Sequence, residues 1–272
     1  LFAAFPLAYA IIMPALYAPI VAMLLGLVLR GVSFEFRWRD KRHEPFWDAA
    51  FATGSLVAAL AQGIALGALL QGIPVAGRAY AGGWWDWLSP FSLLSGVSVV
   101  LGYGLLGACW LIAKTDGDVR TRALALARPL ALLTVAAIVA VSAATPFLKY
   151  AYFARWLEAP GIFYAAPVPL LVALLTVLLL RSLARIERNT GQDGAPFVLT
   201  LGLFALTFVG LGISMWPYII PDSVTIWDAA TAPRSQIFML IGIAVMLPII
   251  LAYTGYAYWV FRGKVRGGGY HN

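Results

Sequence analysis

Charge is what this chain has least of. Only 11% of its 272 residues are Asp, Glu, Lys or Arg, against about 25% in an ordinary soluble domain, which excludes a water-solvated globular surface. Histidine is nearly missing as well: His43 and His271 are the two present, and neither lies in an apolar stretch. The apolar part of the chain therefore lacks the commonest side chain for binding haem or a transition metal. One cysteine, Cys109, permits no internal disulfide and says nothing of redox compartment. The net charge of +7 does not point to nucleic acid, because the basic residues cluster at the ends of apolar runs instead of forming a stripe interleaved with stacking aromatics.

What is abundant is hydrophobic sequence, at 62%. A bilayer core about 30 Å thick takes roughly 20 apolar residues to cross as a helix. Seven such runs are predicted as spans, at Pro6 to Leu29, Ala49 to Leu70, Pro90 to Ala113, Pro129 to Leu148, Gly161 to Leu180, Pro196 to Trp216 and Gln236 to Phe261. The loops between them are short. The expected fold is all-α, a polytopic transmembrane helix bundle forming one domain over residues 1–272.

Basic residues set its orientation. Fifteen of the 19 Lys and Arg fall in Arg30 to Asp48, Lys114 to Arg128, Arg181 to Asp193 and the tail after Phe261, all on one side of the predicted bundle. That side is cytoplasmic by the positive-inside rule, and so is the C-terminus. Eight of the 12 acids lie there too, which leaves the outer face neutral. The ten tryptophans all lie in loops or near span ends, as expected of rings anchored at headgroup level.

Burying a Lys, Arg or Asp at mid-membrane costs about 2.5–3.5 kcal/mol on insertion scales and is kept where ions or protons move. None is kept here. Met13, Met23, Met215, Met239 and Met246 lie in or beside spans without a histidine partner and read as packing residues, so no metal is assigned. Gln62, with Gly63 and Gly67 spaced four apart, marks either close helix packing or a narrow polar path. Pro6, Pro14 and Pro19 predict an irregular first span, since each lacks a main-chain donor.

Two segments outside the spans are richer. In Leu29-Arg30-Gly31-Val32-Ser33-Phe34-Glu35-Phe36-Arg37, a continued helix puts Arg30, Phe34 and Arg37 on one face. Glu35 is then either a partly desolvated carboxylate fit for passing protons or the partner acid of a basic anchor. On the outer side, Trp216 to Ala230 has two prolines that stop the helix, with Asp222, Ser223 and Asp228 able to cap a short following helix and Trp227 among its aromatics. It reads either as a loop closing the bundle or as a segment that docks a partner or roofs a cofactor cavity.

These segments, with Phe2-Ala3-Ala4-Phe5-Pro6, Ala61-Gln62-Gly63-Ile64-Ala65-Leu66-Gly67 and Tyr80-Ala81-Gly82-Gly83-Trp84-Trp85-Asp86-Trp87, resemble subunit II of the bacterial cytochrome bd quinol oxidases. The resemblance runs in one order along nearly the whole chain. It implies a bacterial cytoplasmic (inner) membrane complex of the aerobic respiratory chain, a heterodimer in which subunit I holds haem b and haem d and reduces oxygen with quinol. This chain would be the partner that ligates no haem and carries no catalytic residue. A small accessory single-span subunit, membrane lipid and a bound quinone or lipid belong to the same expectation. The family has nine spans, of which this chain would supply the last seven, without the Gly-Phe-Asp-Leu-Gly and Trp-Asp-Gly-Asn-Glu types of motif that precede them. Arg30 and Glu35 match the family's arginine and acidic positions after its third span and are candidates for the proton path, Asp228 matches the aspartate of a Trp-Asp motif, and Tyr270 matches a terminal tyrosine near the proton route. The rival expectation is a small-solute permease, which needs a midplane site at broken helices of two repeats. No internal repeat is found in the sequence.

Overall fold

The structure, a computed structural model, describes residues 2–264. Main-chain polar groups have no water to bond in hydrocarbon and must pair within their own segment, so the apolar runs form helices. In chain order these are α1 (Pro6–Ala15), α2 (Tyr17–Arg39), α3 (Glu44–Gln71), α4 (Pro90–Lys114), α5 (Gly117–Leu148), α6 (Tyr150–Leu157), α7 (Gly161–Ala165), α8 (Pro167–Glu187), α9 (Ala195–Met215), α10 (Ile226–Ala229) and α11 (Pro233–Val260). Seven helical stretches among the described residues are long and apolar enough to cross a membrane. Two small hairpins, β1 (Val75–Ala76) with β2 (Ala79–Tyr80) and β3 (Tyr218–Ile220) with β4 (Val224–Thr225), lie at the outer ends.

Several predicted boundaries move. The first span is two helices, broken at Leu16 with φ −107° and ψ 19°. Pro19 has no N–H to give the Ala15 carbonyl and Pro14 removes another donor just before the break. Beyond Leu29, α2 runs on to Arg39, and α5 begins at Gly117, well before the predicted Pro129. Hydropathy marks where hydrocarbon ends, whereas a helix continues into water as long as its residues tolerate it. At Ala166 the backbone stays helical, with φ −54° and ψ −34°, but Pro167 lacks the N–H of the next bond, which separates α7 from α8 within one span.

The transmembrane helices close in two ways. Along α2, α3 and α4 the backbones touch: a Cβ placed on Gly26 would meet the Gly54 oxygen at 2.7 Å, and one on Gly54 the Gly26 oxygen at 2.6 Å. In α4, α5, α8 and α9 side chains fill the space instead. Leu105, Cys109, Ile112, Ala127, Leu179, Leu183, Ile186 and Leu203 form a fully buried core toward the cytoplasmic ends. Toward the outer ends, Phe91 and Tyr152 pack with Leu70, Trp156 and Met215. The Tyr152 hydroxyl donates to the Leu70 carbonyl at 2.8 Å and so fastens α6 to the end of α3.

No residue of α11 is buried. Its cytoplasmic end is nonetheless tied down, by Lys114 Nζ donating to the Phe261 oxygen at 2.6 Å and by Trp110 against Tyr258 at 5.9 Å between ring centroids. Just beyond the helix, Lys264 pairs with Asp116 and Asp193 at 2.7 Å each, and Arg120 reaches Asp193 at 2.7 Å. That cluster holds Asp193 below the ordinary aspartate range, chiefly through the Arg120 hydrogen bond and with help from Lys264.

Candidate functional site

The chemistry-bearing residues gather at three levels of the molecule. At the cytoplasmic end, α2 continues as predicted, so Arg30, Phe34 and Arg37 do share a face. Arg30 lies over the Phe51 ring, 5.4 Å from its centroid, at the inner end of the α3 span. Arg37 bridges to Glu44 at 2.7 Å and Asp48 at 2.5 Å, fixing the turn between α2 and α3. Glu35 is 62% exposed and paired with Arg39 at 2.9 Å. Within this chain it is therefore neither desolvated nor bound to Arg30. In the same turn His43 donates to Asp40 at 2.8 Å, and that bond holds the Asp40 carboxyl below its usual range. Tyr270 lies outside the described residues.

Within the membrane, Gly63 and Gly67 form the contact of α3 with α4. A Cβ on Gly63 would stand 2.6 Å from the Ser95 oxygen, and one on Gly67 2.7 Å from Ser92 Cα. Gln62 lies at the exposed edge of the same α3–α4 contact, where its Oε1 accepts from the Tyr103 hydroxyl of α4 at 2.9 Å. It does not line a path through the bundle interior.

At the outer face the Trp216 to Ala230 segment folds over α1. Ile220, Val224 and Ala229 join Ala8, Ile11, Ala68 and Ile73 in one buried cluster, and Thr231 N donates to the Ala4 oxygen at 3.0 Å. The expected helix is α10, but its cap is Thr225: the Thr225 hydroxyl accepts from Asp228 N, while Asp228 accepts from Thr225 N at 3.2 Å. The Thr225 hydrogen bond keeps the Asp228 carboxylate below its ordinary range. Neither Asp222 nor Ser223 caps. Asp222 occupies the turn after Pro221 with φ +61°, a left-handed conformation that aspartate tolerates, and the turn closes with Ser223 N to Ile220 O at 3.1 Å. Trp227 is 64% exposed and meets Trp216 edge to face at 5.6 Å.

Asp222 also pairs with Lys149 at 2.6 Å, a contact invisible along the sequence because 73 residues separate the two. The Lys149 ammonium lies over Gly72, where a Cβ would meet Nζ at 2.7 Å. Gly72 ends α3 with φ +91°, so it serves both the turn and the close approach, and the cation faces the negative end of that helix.

Neither His43 nor Cys109 is placed to hold a haem. His43 is exposed and engaged with Asp40 outside the spans, and buried Cys109 sits in a filled core beside Thr200. Among the described residues no cluster of three or more His, Cys, Asp or Glu is suited to a metal ion.

Comparison with known proteins adds to this geometry. The family described as cytochrome bd terminal oxidase subunit II matches residues 1–261. Cytochrome bd-I ubiquinol oxidase subunit 2 of Escherichia coli is 29% identical, over 97% of this chain and 78% of the relative. Cytochrome bd ubiquinol oxidase subunit 2 of Bacillus subtilis is 28% identical over the same shares. Among solved structures, a chain of bd oxidase from Geobacillus thermodenitrificans shares the fold with a TM-score of 0.68 and 21% identity, covering 89% of this chain and 72% of that one.

Proposed function

This chain belongs to the cytochrome bd terminal oxidase subunit II family, and on that premise we propose that it is the non-haem scaffold of a quinol:oxygen oxidoreductase in the bacterial inner membrane. The match over residues 1–261 carries the reading. Its partner, subunit I, holds haem b and haem d, and this chain contributes no catalytic residue. On this reading the docking side is the glycine-packed layer of α2 and α3, which leaves Leu24, Leu25, Val28, Leu56 and Val57 exposed. Arg30 and Glu35, near the cytoplasmic boundary, serve proton entry to the complex, with protons taken from the inside and none pumped. Trp227 and the turn closed by Thr225 and Asp228 shape the outer contact surface.

Support for a permease is weaker, since Gln62, the most polar candidate in the spans, bonds Tyr103 at an exposed edge. The oxidase reading is tested by expressing subunit I with and without this chain, followed by haem spectra and quinol oxidase activity of purified membranes. Assembly and turnover that depend on this chain are expected; equal values without it contradict the proposal. The proton role is separable: Glu35→Gln and Arg30→Gln should slow turnover per assembled haem. Unchanged turnover leaves Arg30 as a basic anchor and Glu35 as a partner acid, paired with Arg39.

A further inference from the structure

The outer end of α9 and the α6–α7 turn enclose a groove of about 560 Å³ that the oxidase reading does not use. That size falls within the roughly 300–1,000 Å³ of small-molecule sites. Its apolar walls include Val209, Gly212, Ile213 and Trp216 on one side and Tyr164 on the other, and Arg155 is the one charged residue lining it. Arg155 Nη1 donates to the main-chain oxygens of Ile213, at 3.3 Å, and Ser214, which fixes the guanidinium at the end of α9. No acceptor among the described residues takes its Nε or Nη2 hydrogens. The groove thus has a positioned cation at headgroup depth, two exposed aromatic rings beside it, and an apolar floor running into the membrane.

A forked guanidinium with free donors matches the oxygens of a phosphodiester. An acyl chain suits the floor, and at Gly212 the space is open: a Cβ there would meet nothing within 4 Å. No carboxylate lines the groove, so the ammonium of a zwitterionic headgroup would find no partner there. We propose that this groove binds one anionic phospholipid of the outer leaflet, its phosphodiester on Arg155 and an acyl chain along Val209 and Gly212. The inference rests on the membrane placement of the helices and not on the oxidase reading.

The test is native mass spectrometry of the protein purified from membranes through this chain with the subunits that accompany it, delipidated in mild detergent and titrated with phosphatidylglycerol, phosphatidylethanolamine or a short-tailed quinone. Wild type should retain one phosphatidylglycerol in preference to the other two. Arg155→Gln should weaken it about tenfold, the loss of a hydrogen-bonded charge. Gly212→Leu, which fills the open space without touching Arg155, should abolish it while the complex still assembles. Because Arg155→Gln also removes bonds to Ile213 and Ser214, Gly212→Leu carries the test if that variant fails to fold. Equal retention by wild type and Gly212→Leu overturns the proposal, as does equal binding of phosphatidylethanolamine or preferential binding of the quinone.

Discussion

The α2–α3 seam and the α4–α5–α8–α9 bundle both pack apolar helices in lipid, yet they close by opposite means. In the seam, Gly26 and Gly54 let two backbones meet at distances no side chain would allow, while the flanking leucines and valines point outward. In the bundle, Leu179, Leu183, Ile186 and Leu203 turn inward and are almost completely buried. Lipid tails are as apolar as leucine, so neither arrangement is driven by escape from water; close contact is what each gains. A seam of glycines gains it from the backbone and keeps its large side chains for another surface. The bundle turns Leu179, Leu183, Ile186 and Leu203 onto one another, while other leucines of the same helices, Leu170 and Leu174 among them, face outward.

Substitutions can break this contrast, most strongly at the seam. Gly54→Leu forces a side chain against the Gly26 carbonyl, where even a Cβ would lie at 2.6 Å, and should cost about 3 kcal/mol or more by overpacking. Folded yield by fluorescence size-exclusion should collapse, whereas Gly107→Ala, with nothing within 4 Å of the added Cβ, should change it little. Similar yields for the two would remove the seam as a distinct kind of contact. In the bundle, Leu183→Ala leaves a cavity worth about 2–3 kcal/mol, read from detergent unfolding titrations of the assembled protein. A smaller loss would mean that lipid or neighbouring side chains fill the gap.

The cytoplasmic charge cluster should matter less. Asp193→Ala removes the shared partner of Arg120 and Lys264, at a cost of about 1–2 kcal/mol, and should raise hydrogen exchange in the last turn of α11. Because Asp193 has its folded-state pKa depressed by Arg120 and Lys264, its contribution is fully present above the unfolded aspartate value of about 3.9. It is lost only as pH falls through the lower folded value. A step in stability between pH 5 and 8 that disappears in Asp193→Ala would contradict this assignment. Smallest of all, Thr225→Ala removes the cap of α10 at about 1 kcal/mol, visible as faster exchange at Ile226 to Ala229.

Composition was enough to read the seven spans and their orientation, because hydrocarbon thickness and the inner bias of Lys and Arg act directly on residue type. The break at Leu16 was half legible: three prolines announced irregularity but not its position. Gly63 and Gly67 stood out by their spacing, whereas Gly26 and Gly54 did not, since their pairing depends on the register of two helices. Lys149 with Asp222, and Arg155 over the carbonyls of α9, join segments far apart in sequence that only the folded chain brings together. Glu35 was legible as a charge near the boundary, but its partner Arg39 follows from the helix continuing past Leu29.

The central claim is that the glycine seam faces a haem-bearing partner and the bundle does not. The most direct measurement is the reduced-minus-oxidised haem spectrum of material pulled down through this chain, compared for Leu25→Trp and Val28→Trp on α2 and Leu170→Trp and Leu174→Trp on α8, all exposed positions. Haem b and haem d should co-purify with wild type and with both α8 variants and fall sharply with the α2 variants. Pull-downs without haem, or a loss confined to the α8 variants, would contradict it.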